Sequence, residues 1–318
     1  MIRARLALVL VAALAGTARA DAPRDAPTEI EVDRAETPAG RTEFGFDAGA
    51  PVDGWGVTVG VGWLERPITF VLPDGSESEP VRRRQTLTLG GAIALGTSVV
   101  VDVRFGSSHQ LGDRLRGLDS MQPLDRWVPG DFRIGARIRV TGDAARAAFV
   151  RADLTLPSGD EDDFAGEPSW SVAWRLIGRV TLPRGIIVGA SAGLRLRGEE
   201  VFVGDRLVGN EVLGAAGIAV PVPPIRPLWC VADQVKLTAE LAGALGDDVG
   251  ILRGPSPAEA RFGVVTQPVA SLTIGVRAGL GLSDEIGAPR FRAMLEVTYR
   301  GTAQLISPRS DGAEPEDE

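Results

Sequence analysis

The sequence predicts an all-β chain, a transmembrane antiparallel up-and-down β-barrel of about twelve strands. Three observations carry this. Residues 54–64, GWGVTVGVGWL, alternate strictly, with Trp55, Val57, Val59, Val61 and Trp63 on one face and glycine and threonine on most of the other. Period two is the strand signal, and eight strand steps tilted in a bilayer cover ~20 Å, close to a lipid-facing band framed by aromatic residues. Similar alternating segments then recur to about residue 300, to an even total. The linkers between them alternate short and long, the pattern of periplasmic turns and external loops.

The 318 residues include 40 glycines, one cysteine and one histidine, at a formal net charge of −8. After residue 20 no apolar run reaches the ~18 residues of a spanning helix, so a membrane-spanning form must be a closed barrel with no open sheet edge in lipid. The acidic balance argues against a nucleic-acid partner. Mean hydropathy of +0.07 lies between a very soluble enzyme and a helical membrane protein.

Residues 1–20 read as a secretory signal peptide: Arg3 and Arg5, an apolar centre from 6 to 15, and the small-x-small site Ala18-Arg19-Ala20. Residues 21–53, rich in Asp, Glu, Pro and Ala, read as an acidic, flexible periplasmic leader, with a short strand possible around Phe44 to Ala48. The barrel is expected over 54–300 and an acidic disordered tail over 301–318.

After 54–64, alternation predicts strands over residues 86–95, 98–106, 131–140, 148–156, 170–180 and 186–196. The second half adds 212–220 (weaker, small or apolar on both faces), 234–245, 258–264 (short), 272–280 and 290–300. The short linkers are 96–97, 141–146, 182–185 and 267–271. The long ones are 66–81, 107–130, 157–168, 198–210 and 246–257. The linker 221–233 departs from the pattern, being long on the side expected to be short. This phase puts both chain ends in the periplasm.

Three stretches, GDFRIGAR at 130–137, DLTLPSGDEDD at 153–163 and GAPRFR at 287–292, carry a resemblance. They resemble segments of the N-terminal barrels of OmpA-family outer-membrane proteins. They are also similar to the barrel transporter family named after the meta-pathway of phenol degradation, where GDxRxG and LPTGD-like pieces recur. The resemblance implies an outer-membrane barrel facing lipid and lipopolysaccharide and inserted by the barrel-assembly machinery. OmpA-family proteins usually continue into a peptidoglycan-binding domain, and no such segment follows the barrel in these 318 residues.

No catalytic constellation emerges, so no enzyme activity and no cofactor are expected. His109, the one histidine, falls in an expected external loop and reads as solvated. Cys230 reads as a partly buried thiol, and Asp160, Glu161, Asp162 and Asp163 as a solvated acidic loop whose spacing does not match a calcium loop. The polar strand faces are more informative. Arg104, Arg133, Arg137, Arg139, Arg151, Arg175, Arg179, Arg195, Arg277, Arg290 and Arg292 would face the lumen, with Asp102, Asp153, Glu240, Glu259 and Glu296. Trp55, Trp63, Trp174, Phe291 and Tyr299 would form aromatic girdles. Fixed cations would draw anions into an open pore, whereas close pairing would make a plugged interior. The excess of arginine suggests interior water. The leading expectation is a passive channel or transporter for small solutes, anions among them; the alternative is a closed, OmpA-like structural barrel that stabilises the envelope without transport.

Overall fold

The computed structural model describes residues 43–50, 54–71, 77–112, 124–143, 145–159, 164–203, 206–223, 234–246, 252 and 256–301. Alternation becomes ladder along the chain: β1 (Trp55–Val71), β2 (Glu77–Leu95), β3 (Val99–Gly112), β4 (Leu124–Pro129), β5 (Phe132–Gly142), β6 (Arg146–Leu156), β7 (Ser171–Thr181) and β8 (Ile187–Arg197). A small hairpin follows, β9 (Val201–Val203) and β10 (Arg206–Val208), then β11 (Glu211–Pro221), β12 (Gln234–Leu245), β13 (Ala258–Val269), β14 (Leu272–Gly281) and β15 (Phe291–Gly301). Setting aside β4, β9 and β10, each remaining strand pairs antiparallel with its neighbours in chain order. β1 closes on β15, from Trp55 opposite Gly301 to Glu65 opposite Phe291. The result is a closed twelve-stranded antiparallel barrel with no free edge in its wall.

The two faces of the wall differ as lipid and lumen require. Outward Val59, Leu89, Leu176 and Phe262 are 42%, 55%, 68% and 61% exposed. Such a continuous apolar belt is stable only against hydrocarbon. Inward Thr58 and Thr298 are buried, their hydroxyls 2.9 Å apart.

The expected linkers at 66–81 and 107–130 are corrected. β1 and β2 continue as a paired ladder to Val71 and from Glu77, and β3 runs on to Gly112 with β4 beside it. The linker 198–210 likewise contains the β9–β10 hairpin. Hydrophobic alternation ends where an outward face leaves lipid, but backbone pairing does not need it. The segment around Phe44 to Ala48 makes no ladder; it is bent chain. The signal peptide, residues 21–42, Cys230, residues 160–163 and the tail beyond 301 lie outside the described residues.

Candidate functional site: the lumen and the segment inside it

Residues 43–50, Glu-Phe-Gly-Phe-Asp-Ala-Gly-Ala, belong by composition to the acidic leader, yet all eight are buried inside the barrel. Their alternation serves two sides of the lumen. Phe44 and Phe46 stack at 5.1 Å and pack with Ala48 against Ile187 and Ala219. The wall there is made of small residues: a Cβ on Gly217 would lie 2.7 Å from the Phe44 ring, and one on Gly189 2.6 Å from the Ala48 Cβ. Glu43 and Asp47 take the basic side.

Asp47 accepts from Arg137 Nη1 at 2.5 Å and from Arg151 Nη1 at 3.0 Å. Arg151 reaches Asp102 at 2.7 Å and Asp153 at 2.5 Å, and Asp153 also takes Arg104 and Arg175, each at 2.8 Å. Glu43 accepts from Arg179 at 2.9 Å and from Lys236 at 3.3 Å. On the far wall, Glu240 accepts both the Gly45 amide at 3.0 Å and Arg277 Nε at 3.1 Å, while Arg261 donates to the Gly45 carbonyl at 3.1 Å. Arg277 also bonds Glu296, and Arg292 bonds Glu259 at 2.8 Å. Removing this many charges from water is tolerable because carboxylates and guanidiniums interleave. Arg137 also donates to the Ala50 carbonyl at 2.5 Å and lies over Phe149, 4.9 Å from the ring centre. Gly49 occupies positive φ, +71°, in a place where a Cβ would strike that same ring.

The remaining arginines are placed elsewhere. Arg195 and Arg197 meet Glu211 at 3.5 and 3.3 Å, and Arg197 also holds Glu167. Arg133 is half-buried beside an interior cavity. Arg139 bonds the Thr97 carbonyl in the β2–β3 turn, away from the network. The lumen expectation for Arg290 is corrected: it is exposed just ahead of β15, where strand alternation no longer sets its direction. Trp55 and Tyr299 approach at 5.9 Å near one rim. Eight positions along the same two strands, Trp63 and Phe291 lie towards the other rim, Trp63 under the Arg83 guanidinium at 4.7 Å. Trp174 is half-buried on β7 between Ala152 and Leu194. Glu43, Asp47, Arg84, Glu167, Arg197 and Glu211 were not anticipated as site residues.

A second buried cluster lies at the end of the barrel where β1 and β2 continue as a ladder. Ile68, Val81, Leu124, Phe164, Val208 and Ile286 form one buried apolar cluster drawn from six parts of the chain. Two of the resemblance stretches hold it. Asp131 accepts the amides of Gly159 at 3.0 Å and Glu167 at 2.8 Å, and Ser158 Oγ accepts the Phe132 amide at 2.8 Å. The third adds Gly287, whose amide donates to the Pro67 carbonyl at 3.0 Å. Phe164 sits at φ +55° with its side chain wholly buried, and its carbonyl takes Arg84 Nη1 at 2.8 Å. A phenylalanine held in this backbone region is strained, and surrounding contacts must over-determine it. Among the described residues no group of three or more His, Cys, Asp or Glu is placed to hold a metal ion.

No protein family and no curated protein matches the chain. Among solved structures it is similar to an outer-membrane channel from Pseudomonas putida F1: TM-score 0.55, 13% identity, covering 81% of this chain and 99% of that one. It is more distantly similar to the translocator domain of autotransporter NalP from Neisseria meningitidis, TM-score 0.46, 14% identity, covering 80% and 91%. A third likeness is to the KdgM porin, TM-score 0.45, 8% identity, covering 77% and 99%. The first likeness is one of fold: the chain has the architecture of an outer-membrane β-barrel.

Proposed function

We propose that the protein is an outer-membrane channel for small anionic solutes, closed at rest by its own residues 43–50. The observation that carries this is the way the lumen is filled. A barrel built solely to be solid fills itself with wall side chains, whereas this one is filled by a separate stretch of chain resting on glycine and alanine. Withdrawing that stretch removes Glu43 and Asp47 and leaves Arg137, Arg151, Arg179 and Lys236 facing an aqueous path. A wall with that balance attracts anions. Export by a signal peptide at 1–20, the apolar belt, the aromatic pairs at its rims and the barrel architecture all support an outer-membrane location with both chain ends in the periplasm.

The second reading, a closed structural barrel, is favoured by the dense pairing of the interior charges. Osmotic swelling of proteoliposomes separates the two. The chain lacking residues 43–50 is expected to admit small anions faster than neutral or cationic solutes of matched size. A correctly folded deletion that admits none supports the structural reading.

A further inference from the structure

Residues 43–50 do not fill the whole interior. A cavity of about 80 Å³ lies in the outer half of the lumen among β1, β2, β3, β5 and β15, and none of its lining comes from that segment. This is room for about two to three times the share of volume a water takes in the liquid, enough for a compact oxyanion. Its lining is rich in arginine. Arg84, Arg104 and Arg292 are buried to 3%, 7% and 1% exposure, and Arg133 completes the set. Each buried guanidinium is fixed from behind: Arg84 by the Phe164 carbonyl, Arg104 by Asp153 and Arg292 by Glu259, each at 2.8 Å. The carboxylates on the lining, Asp131 and Glu296, are engaged by backbone amides and by Arg277. Four guanidiniums and two carboxylates line the cavity, with Asp153 and Glu259 behind Arg104 and Arg292. Thr86 and Thr88 add hydroxyls able to donate.

We infer that this cavity is a binding site for a small oxyanion, a phosphate or carboxylate group held by the guanidiniums of Arg84, Arg104, Arg133 and Arg292. Guanidiniums pre-fixed by wall partners bind such groups with little further ordering, and their planar donors match both geometries. The site names the solute class of the proposed channel and takes its biological meaning from that reading, but its test does not depend on conduction.

The test is calorimetric titration of inorganic phosphate into the folded full-length protein in detergent at fixed ionic strength. Saturable binding is expected. Arg133→Gln, at the half-buried member of the set, is expected to weaken it about tenfold through loss of a charge-assisted hydrogen bond. Arg290→Gln, which removes the same charge outside the lumen, is expected to leave it unchanged. Thr88→Leu fills the cavity with all four arginines retained and is expected to abolish binding, with folding of each variant checked by heat-dependent electrophoretic mobility. No saturable binding to the parent protein, or equal binding by the parent, Arg133→Gln and Thr88→Leu proteins, would overturn the inference. A folded deletion of residues 43–50 that stays silent in a bilayer would count against the channel and leave this site standing, and a phosphate-blind protein whose deletion conducts would do the reverse.

Discussion

Asp47 and Arg151 meet at 3.0 Å although 104 positions separate them in the sequence. Arg151 belongs to the wall and Asp47 to the chain that enters the barrel before the first strand. Their contact joins what blocks the lumen to what lines it. Removing one partner of a buried ion pair costs ~3–5 kcal/mol, because the other charge stays buried without its counterion. Asp47→Ala is therefore expected to loosen residues 43–50 selectively. Hydrogen exchange of the Gly45 and Gly49 amides should speed up markedly, while the β6–β7 ladder stays protected.

Phe44 gives an independent handle that involves no charge. Its ring lies where a Gly217 side chain would be, so Gly217→Leu must push it aside. Overpacking of this kind costs ~1–3 kcal/mol. The variant is expected to raise exchange of the same amides, and combined with Phe44→Ala it should recover part of the lost protection. Equal exchange in the parent and Gly217→Leu proteins would mean that the ring does not seat there.

Lys236 is the only lysine in the chain and bonds Glu43. It is partly buried while Glu43 holds it, so an amine reagent should reach it faster once residues 43–50 leave. Labelling of Lys236, followed by peptide mass analysis, is expected to be at least about tenfold slower in the parent than in the Asp47→Ala variant, in line with the energy of the pair it would break.

The twelve wall strands were legible because a lipid-facing strand must show one apolar side, and the girdle pairs followed from aromatic residues eight positions apart. The extended hairpins of β1 with β2 and β3 with β4 were not, since outside lipid an outward face loses its apolar signature while pairing persists. Residues 43–50 carried a signal that composition obscured. Phe44, Phe46, Ala48 and Ala50 alternate with Glu43, Gly45, Asp47 and Gly49, as a strand would, but here the alternation matches an apolar wall on one side and a basic wall on the other. The excess of inward arginine was the second half of that signal: it reads as interior water only when Glu43 and Asp47 are assigned to the outside.

Two carboxylates outside the spanning strands accept backbone amides yet respond to pH in opposite senses. Asp143 is fully exposed and caps the β5–β6 turn through the amides of Ala145 and Arg146 at 2.7 and 2.9 Å. The Arg146 and Ala145 amides hold its carboxyl below the usual 3.8. Its contribution to stability is full above 3.8 and disappears as pH falls through the lowered value. Burial pushes the Asp131 carboxyl above 3.8, against the pull of the Glu167 and Gly159 amides. Folding then favours its protonated form, so its contribution is full below 3.8 and is lost as pH rises through the raised value. Urea unfolding between pH 7 and pH 2 should therefore show Asp143→Asn removing a loss of stability on acidification, and Asp131→Asn removing a gain.

In the proposed channel residues 43–50 close an otherwise open barrel. Single-channel recording in planar bilayers tests it most directly, with the full-length protein and the deletion of residues 43–50 measured side by side. The parent is expected to be silent or to open rarely, and the deletion to give discrete, long-lived openings with a reversal potential favouring anions. A folded deletion as silent as the parent, or a parent that conducts as fully as the deletion, would contradict it.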